Sequence, residues 1–297
     1  MSGRVPALAG RTIRCLLFDC GETLWTHCEK PLCHALDQAA GWRALALLYM
    51  RFNPQDYPFA ATLTGEQLRK TIEAYIRKLS RQMPEREPDF AVATMEALHQ
   101  IGFTGADPDL GAEIFEALRV RSYEARRLFP DTLSTLDELR RRGFLLGIVT
   151  NRQYGGAPFR EDLQAFGLLD YFNYEHVAVS ADARVRKPGP ALFLQALNAL
   201  GVPPEEAAMV GDSLHSDVGG AQRLNLFAIW KPKLRLRVEA QQSLFLDKEQ
   251  LTDEYLLAYA HMLDNEKSRR RSEGIIPDLI IEHLSDLLAT FHEAGVQ

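Results

Sequence analysis

Five short stretches of this 297-residue chain are almost entirely apolar and show no alternation of polar and apolar positions. Such runs are typical of strands in a sheet whose two faces are both covered. They are residues 13–19, 144–150, 176–180, 207–211 and 226–230. The chain is therefore constrained first to build a buried β-sheet.

Helical patterns lie between these runs. Thr132 to Arg142 is followed by Gly143, and Pro190 to Leu200 is followed by Gly201. Proline near a helix start and glycine just past its end are expected from helix capping. Strand and helix alternating over residues 130–230 predicts right-handed crossovers. We expect an α/β fold, doubly wound, with a mainly parallel, Rossmann-like sheet.

The interval between the first two predicted strands is too long for one crossover and has amphipathic helical patterns broken by prolines and Gly102. Helices are predicted over residues 36–51, 64–81, 89–101 and 107–127. We predict that residues 25–127 form a helical domain inserted into an α/β core. That core comprises residues 1–24 and 128–297.

A second insertion is predicted over residues 231–276. An apolar helical face within it is expected to pack back onto the core, with a lid or a dimer contact as the alternative. This face consists of Leu251, Tyr255, Leu256, Tyr259, Met262 and Leu263. The basic runs Lys231–Arg235 and Lys267–Arg271 are predicted to be solvated surface.

Composition and charge favour a small-molecule partner. Hydrophobic residues make up 46% of the chain and the formal net charge is -6, so we expect no nucleic-acid or membrane partner. No stretch approaches the roughly 18 apolar residues of a membrane span, and no leader pattern is present. All four cysteines lie in the first 33 residues, which predicts reduced thiols and a cytoplasmic location. The oligomeric state is left open.

Polar residues follow four of the apolar runs. Asp19 ends the first run, Thr150 ends the second, Lys187 lies shortly after the third, and Asp212 and Asp217 follow the fourth. Carboxyl ends of parallel strands meet at one edge of a sheet, which predicts a shared acidic pocket there. Taken singly, Thr150 also fits a strand end, Lys187 surface charge, and the two later aspartates helix caps.

The order of these residues resembles the haloacid dehalogenase-like hydrolase superfamily, over residues 13–24, 130–230 and 277–290. The resemblance implies that Asp19 is a nucleophile that attacks phosphorus. It also implies that Thr150, the backbone amide of Asn151 and Lys187 bind the phosphoryl group. Superfamily relatives with an insertion between the first two strands have a helical cap, so residues 25–127 are expected to cover the pocket and select substrates.

The resemblance further implies a Mg²⁺ site. The predicted ligands are Asp19, the backbone carbonyl of Gly21, Asp212 and Asp217, completed by water. Such hard oxygen ligands are those that Mg²⁺ prefers. The metal and Lys187 would together neutralise the charge that a carboxylate and a phosphoryl group bring together.

One position departs from the superfamily pattern. Phosphatases of this superfamily usually carry Asp-x-Asp-Gly-Thr, in which the second aspartate protonates the leaving group and then activates water. This chain has Gly21 in that slot, followed by Glu22. Loss of a positioned acid or base commonly costs about a hundredfold in rate. Glu22 is expected to replace the missing group only if the loop is rearranged.

The resulting expectation is a Mg²⁺-dependent phosphatase of small phosphorylated metabolites that forms an aspartyl-phosphate. Three alternatives stay open. A phosphonatase-like hydrolase would require a Schiff-base lysine, for which Lys30 and Lys70 are candidates. A dehalogenase-like hydrolase would attack carbon without a metal. A weakly active or inactive phosphate-ligand-binding protein would keep the pocket with negligible turnover.

Overall fold

The computed structural model describes residues 8, 10–27, 29–53, 56–57, 62–266 and 272–292. The chain divides into two compact units. One contains Met1–His27 together with Arg127–Gln297, and the other contains Cys28–Arg126. The second unit is therefore a continuous insertion into the first.

The first unit is built on one six-stranded sheet in which every paired neighbour is parallel. The strand order is β3-β2-β1-β4-β5-β6. The strands are β1 (Cys15–Phe18), β2 (Leu145–Thr150), β3 (Val177–Val179), β4 (Ala207–Gly211), β5 (Phe227–Trp230) and β6 (Leu279–Ile280). All five apolar runs form strands, which confirms the predicted α/β class.

Helices α1 to α5 belong to the inserted unit, and α6 to α13 belong to the unit that contains the sheet. They are α1 (Lys30–Arg51), α2 (Gly65–Gln82), α3 (Phe90–Ile101), α4 (Pro108–Ala117), α5 (Ser122–Ala125), α6 (Thr132–Arg141), α7 (Gly156–Ala165), α8 (Ser180–Ala183), α9 (Pro190–Leu200), α10 (Gly219–Gln222), α11 (Leu234–Leu244), α12 (Asp253–Glu266) and α13 (Leu287–Thr290). None of the helices in the described part of the chain is long and apolar enough to cross a bilayer.

Both faces of the sheet are covered, as the absence of polar alternation predicts. Leu16 and Phe18 of β1 belong to a hydrophobic cluster that includes residues of α6, α7 and α13. The alternate residues Cys15 and Leu17 belong to a second cluster with residues of α9 to α12. Successive residues of a strand point to opposite faces, so an entirely apolar strand is the expected result.

One predicted helix, over residues 107–127, is divided into α4 and α5. The carbonyl of Leu118 accepts a hydrogen bond from Arg69, and the carbonyls of Ala117 and Arg119 accept from Arg43. These guanidinium donors satisfy carbonyls that end the helix, so α4 stops there. Apolar periodicity does not register such a termination.

Glycines allow two elements of the inserted unit to approach closely. A Cβ on Gly41 of α1 would lie 2.5 Å from the carbonyl oxygen of Gly65 at the start of α2. Helix α2 begins with a capping box, in which the Thr64 hydroxyl accepts from the Gln67 amide and the Gln67 side chain accepts from the Thr64 amide. The cap fixes the start of α2 directly against α1.

The 231–276 segment contains α11 and α12, which pack on the second hydrophobic cluster through residues such as Ala240, Leu256 and Tyr259. The predicted apolar face is only partly buried, because Tyr255 is 55% exposed and Met262 is 43% exposed. The basic run Lys267–Arg271 lies outside the described residues.

The expectation of reduced thiols holds for two cysteines. Cys15 and Cys20 are free and buried, whereas Cys33 is disulfide-bonded. The Cys20 side chain lies in the turn that follows β1, next to the candidate site.

Candidate active site

The predicted site residues lie at the carboxyl edge of the sheet, where the strand order changes direction. Strands β2 and β3 extend to one side of β1, and the chain then returns to place β4 on the other side. In open α/β sheets this switch point creates the crevice that binds ligands. Asp19 follows β1, Thr150 ends β2, and Asp212 follows β4. The amide of Asp19 donates to the carbonyl of Val210 at 2.9 Å, so the ladder continues to the first site residue.

Lys187 joins the site residues into one cluster. Its Nζ donates to Asp19 Oδ1 at 2.8 Å, to Asp217 Oδ1 at 2.6 Å and to the carbonyl of Val149 at 2.6 Å. An ammonium has three N–H donors, and these three contacts use all of them. The residue is only 3% exposed. A buried lysine held at three points is a fixed positive charge rather than a mobile surface group.

The side chain of Asn151 positions the segment that carries Lys187. Its Nδ2 donates to the Lys187 carbonyl at 3.0 Å, and its Oδ1 accepts from the Lys187 amide at 2.9 Å. This reciprocal pair aligns two loops that are 36 residues apart in sequence. Sequence reasoning assigned only the backbone amide of Asn151, so this positioning contact was missed.

Asp217 lies in a π-helical turn, Leu214–Val218, that follows β4. Wider turns of this type occur frequently at functional sites. Its Oδ2 accepts from the amide of Ser213 at 2.9 Å while its Oδ1 contacts Lys187. A Cβ on Gly211 would lie 2.2 Å from Asp217 Cγ. Glycine is therefore required at the end of β4 for Asp217 to fold back toward the site.

Asp19, Asp212 and Asp217 form a compact acidic cluster. One carboxylate oxygen from each lies within 4.8 Å of the others. Burial raises the pKa of Asp212 and of Asp217, and the charge of Asp19 raises both further, although lysines oppose the shift. Burial alone would lower the pKa of Lys187, but the two carboxylates that it contacts outweigh that effect and raise it. Burial is thus the largest cause of the raised pKa of both aspartates.

Thr150 and Gly21 lie beside this cluster. Thr150 is 2% exposed and hydrogen-bonds with the side chain of Cys20. Burial, followed by the charge of Asp19, raises the pKa of that thiol, so Cys20 remains protonated. Gly21 lies in the turn after β1 and forms a single β-bridge with Trp25.

Glu22 has an unusual backbone. Its φ of 59° places it in the left-handed region, which costs a side-chain-bearing residue about 1 kcal/mol or more. Its side chain is 13% exposed, with Oε1 at 3.7 Å from Nδ1 of His27. Its slot is the glycine position of the Asp-x-Asp-Gly-Thr pattern. The loop therefore adopts a glycine-like turn although it carries a glutamate there.

Two lysines at this edge were missed by sequence reasoning. Lys231 was predicted to be solvated but is 4% exposed, and its Nζ donates to the carbonyl of Glu22 at 3.2 Å. Lys233 Nζ lies 2.9 Å from Asp212 Oδ2. Both follow β5 directly, as the other site residues follow their own strands. That position was the available signal, and the net acidic composition obscured it.

The lysines considered for a Schiff base lie in the inserted unit. Lys30 begins α1 and is exposed. Lys70 on α2 has a 72% exposed side chain and pairs with Glu66. An exposed ion pair one helical turn apart is a common surface feature. Neither lysine lies in the desolvated pocket in which an amine nucleophile is usually found.

Comparison with known proteins identifies the family. A profile described as haloacid dehalogenase-like hydrolase matches residues 13–225, and this chain belongs to that family. It is 40% identical over 149 residues to phosphoserine phosphatase of Thermus thermophilus, a match that covers 50% of this chain and 54% of that protein. It is 36% identical over 188 residues to glyceraldehyde 3-phosphate phosphatase of Methanopyrus kandleri, covering 58% and 78% respectively. The chain thus spans about half the length of the Thermus relative.

Solved structures show the same architecture. A HAD phosphatase from Thermococcus onnurineus matches with a TM-score of 0.53 and 25% identity, covering 96% of this chain and 100% of that one. A 2-haloacid dehalogenase from Pseudomonas syringae matches with a TM-score of 0.54 and 24% identity, covering 94% and 98%. The second likeness shows the fold alone.

Proposed function

We propose that this chain is a Mg²⁺-dependent phosphatase that acts on small phosphorylated metabolites through an aspartyl-phosphate on Asp19. The observation that carries the proposal is the ammonium of Lys187, which bonds Asp19 and Asp217 at 2.8 and 2.6 Å within a buried acidic cluster. Both curated relatives named above are called phosphatases, and each name contains a phosphate ester as the substrate. Their agreement favours phosphorus rather than carbon as the point of attack.

The donor set fits Mg²⁺. Asp19, Asp212 and Asp217 offer three carboxylate oxygens within 4.8 Å of one another, and the Gly21 carbonyl would add a fourth hard ligand. Burial, and after it the charge of Asp19, raises the pKa of Asp212 and of Asp217, and a bound divalent cation would stabilise the ionised carboxylates that this environment disfavours. Bound Mg²⁺ would supply charge neutralisation to the phosphoryl group.

In the first step, a carboxylate oxygen of Asp19 attacks the phosphorus of the ester. The P–O bond to the leaving group breaks, and the electron pair remains on the leaving oxygen, which then takes up a proton. Lys187 orients the Asp19 carboxylate and balances the negative charge that develops on the phosphoryl group. The Thr150 hydroxyl and the backbone amide of Asn151 donate to phosphoryl oxygens.

In the second step, water attacks the phosphorus of the aspartyl-phosphate. Glu22 accepts the proton of that water, the P–O bond to Asp19 breaks, and inorganic phosphate leaves. Gly21 supplies no carboxylate for this step. Glu22 is proposed for this step as the carboxylate next to the empty slot; its left-handed backbone keeps a glycine-like turn, so the Glu22→Gln variant tests whether its side chain reaches the water.

The helical unit Cys28–Arg126 is assigned the selection of substrate. It is inserted into the chain between Asp19 and Thr150, so it contains none of the residues that are assigned to the chemistry. We therefore expect changes within α1 to α5 to alter the ranking of substrates more than the rate with an activated ester.

The proposal is tested by hydrolysis of an aryl phosphate with and without Mg²⁺, because an aryl leaving group needs little protonation. We expect Mg²⁺-dependent turnover in the wild type and none in Asp19→Asn. Acid quench within the first turnover should trap phosphate covalently on the wild-type protein only. Equal turnover by the two proteins would refute the nucleophile assignment.

A further inference from the structure

We propose that Lys233 competes with the divalent metal ion for Asp212 and thereby weakens metal binding at the candidate site. The inference rests on the metal site of the proposed function. Its basis is the 2.9 Å contact between Lys233 Nζ and Asp212 Oδ2, where the Asp212 side chain is 10% exposed. An ammonium paired with this carboxylate neutralises the negative charge that would otherwise attract the metal.

The aspartates of the acidic cluster have different lysine partners. Lys187 uses its three donors to contact Asp19, Asp217 and the carbonyl of Val149. Asp212 instead has Lys233 as its cationic partner. The Asp212 side chain is only 10% exposed, so little water is left to solvate its charge beside Lys233. Lys233 therefore stabilises the ionised carboxylate when no metal is bound.

The two lysines differ in how readily they can leave. The side chain of Lys187 is 2% exposed, whereas that of Lys233 is 39% exposed. A lysine side chain that is already partly exposed loses little when it swings further into solvent, and its four-carbon chain permits that movement. Lys187 has no such exit. Lys233 is the displaceable cation of the site and Lys187 is the permanent one.

Hydrogen bonds of the backbone near Lys233 hold this residue beside the loop that carries Asp212. The Trp230 indole donates to the carbonyl of Asp212 at 2.9 Å, and the amide of Lys231 donates to the carbonyl of Gly211 at 2.9 Å. Helix α11 begins immediately after Lys233. The Cα of Lys233 is thus fixed beside the loop that carries Asp212, and only its side chain needs to move.

The metal must either displace the ammonium or bind next to a positive charge, and both lower its affinity. Removing that charge should therefore tighten binding. We expect Lys233→Met to lower the Kd for Mg²⁺ by about tenfold, whereas Lys233→Arg, which keeps the charge, should not lower it.

The experiment is calorimetric titration of the metal-free full chain with MgCl₂, without substrate. Lys248→Met is the matched control, because Lys248 pairs with Glu282 at 3.0 Å and its side chain is 74% exposed. It removes the same charge and the same kind of ion pair from the surface. Asp212→Asn marks the loss of the site itself.

The outcomes separate the inference from the proposed function. Tighter binding in Lys233→Met alone supports it, and so does binding detected in that variant but too weak to measure in the wild type. Equal Kd values in wild type and Lys233→Met, with binding lost in Asp212→Asn, overturn the competition and leave the metal site standing. Absence of binding in every variant overturns both.

Thermal unfolding gives a second readout that does not depend on heats of binding. In EDTA, Lys233→Met should have a lower Tm than the wild type, because Asp212 loses its cationic partner. Saturating Mg²⁺ should then raise the Tm of the variant by more than that of the wild type. An equal rise in both proteins would contradict competition.

Discussion

Asp217 in the acidic cluster and Glu138 on α6 each lie 2.6 Å from a cationic side chain, yet their pKa values shift in opposite directions. Glu138 Oε1 lies 2.6 Å from Arg141 Nη2, and hydrogen bonds from Arg141 and Arg142 lower its pKa to about 2. Asp217 Oδ1 also lies 2.6 Å from its cation, Lys187 Nζ. Burial nevertheless raises the pKa of Asp217, and neighbouring carboxylates add to the rise.

The difference shows that the length of an ion pair does not by itself determine the pKa of its carboxylate or its contribution to stability. The Glu138 side chain remains 24% exposed, and water solvates the charges of such a pair whether or not they are in contact. Asp217 has lost its water, shares one lysine with Asp19, and lies near Asp212. A fold that keeps such a cluster gives up stability there, and perturbed groups of this kind concentrate at functional sites.

The largest expected effect is the loss of turnover when Lys187 is removed, with removal of Arg141 from the Glu138 pair as the comparison. Lys187→Met should reduce turnover of an aryl phosphate by about a thousandfold, because the fixed charge next to Asp19 is lost. Arg141→Met removes a cation from an equally short pair and should leave turnover unchanged. Initial rates at saturating Mg²⁺, with folding checked by near-ultraviolet circular dichroism, decide the matter. A Lys187→Met rate within tenfold of the wild type would make the ammonium merely structural.

Much of this contrast could be predicted from sequence because its parts are local. Glu138, Arg141 and Arg142 are three and four residues apart on a predicted helix, and such spacing brings side chains together. Asp19 and Asp212 directly follow apolar runs, and a parallel sheet places such ends side by side. The parallel direction of the strands follows from the same alternation of strands and helices.

The remaining contacts depend on loops that meet only in the folded chain. The Asn151 side chain bonds the backbone of Lys187 across 36 residues, and no periodicity encodes that meeting. Lys233 belongs to a basic run that looks like solvated surface, but the turn after β5 directs it onto Asp212. The left-handed φ of Glu22 is likewise a property of the turn, since the sequence shows only that Gly21 and Glu22 depart from the superfamily pattern.

A smaller effect is expected at Glu22, which tests whether the strained turn serves chemistry. Glu22→Gln should lower turnover more than tenfold with metal affinity intact, because the carboxylate that accepts the proton is gone. Glu22→Gly should lower turnover equally but raise the free energy of unfolding by about 1 kcal/mol, since glycine tolerates φ of 59°. Steady-state rates and urea unfolding of both variants provide the measurement. Full activity in Glu22→Gly would remove Glu22 from the mechanism.

Restoring an aspartate at position 21 should have a moderate and opposite effect. Gly21→Asp supplies a carboxylate in the slot that positions water, so the phosphoenzyme should break down about tenfold faster than in the wild type. Rapid quench with labelled substrate would show phosphoenzyme accumulating in the wild type and little in the variant. No accumulation in the wild type would mean that the empty slot does not limit the second step.

The smallest effect is a dependence of stability on pH that has opposite signs in the two regions. Burial raises the pKa of Asp217 to about 7 in the metal-free fold, whereas an unfolded aspartate titrates near about 4. Between these values the folded state binds more protons than the unfolded state. The free energy of unfolding should therefore fall as pH rises, by up to about 1.4 kcal/mol per pH unit. Glu138, whose pKa is lowered from 4.5 to about 2, instead loses its contribution as pH falls through that lower range.

Urea unfolding in EDTA between about pH 5 and about pH 6.5 isolates the buried term, because Glu138 stays ionised throughout that window. We expect a negative slope in the wild type and a flatter one in Asp217→Asn, the difference between the two slopes being the contribution of Asp217. Saturating Mg²⁺ should flatten the wild-type slope as well, since a cation in the cluster would favour the ionised form of Asp217. Equal slopes in wild type and Asp217→Asn would mean that the cluster ionises as easily as Glu138 does, and burial would then not distinguish the two regions.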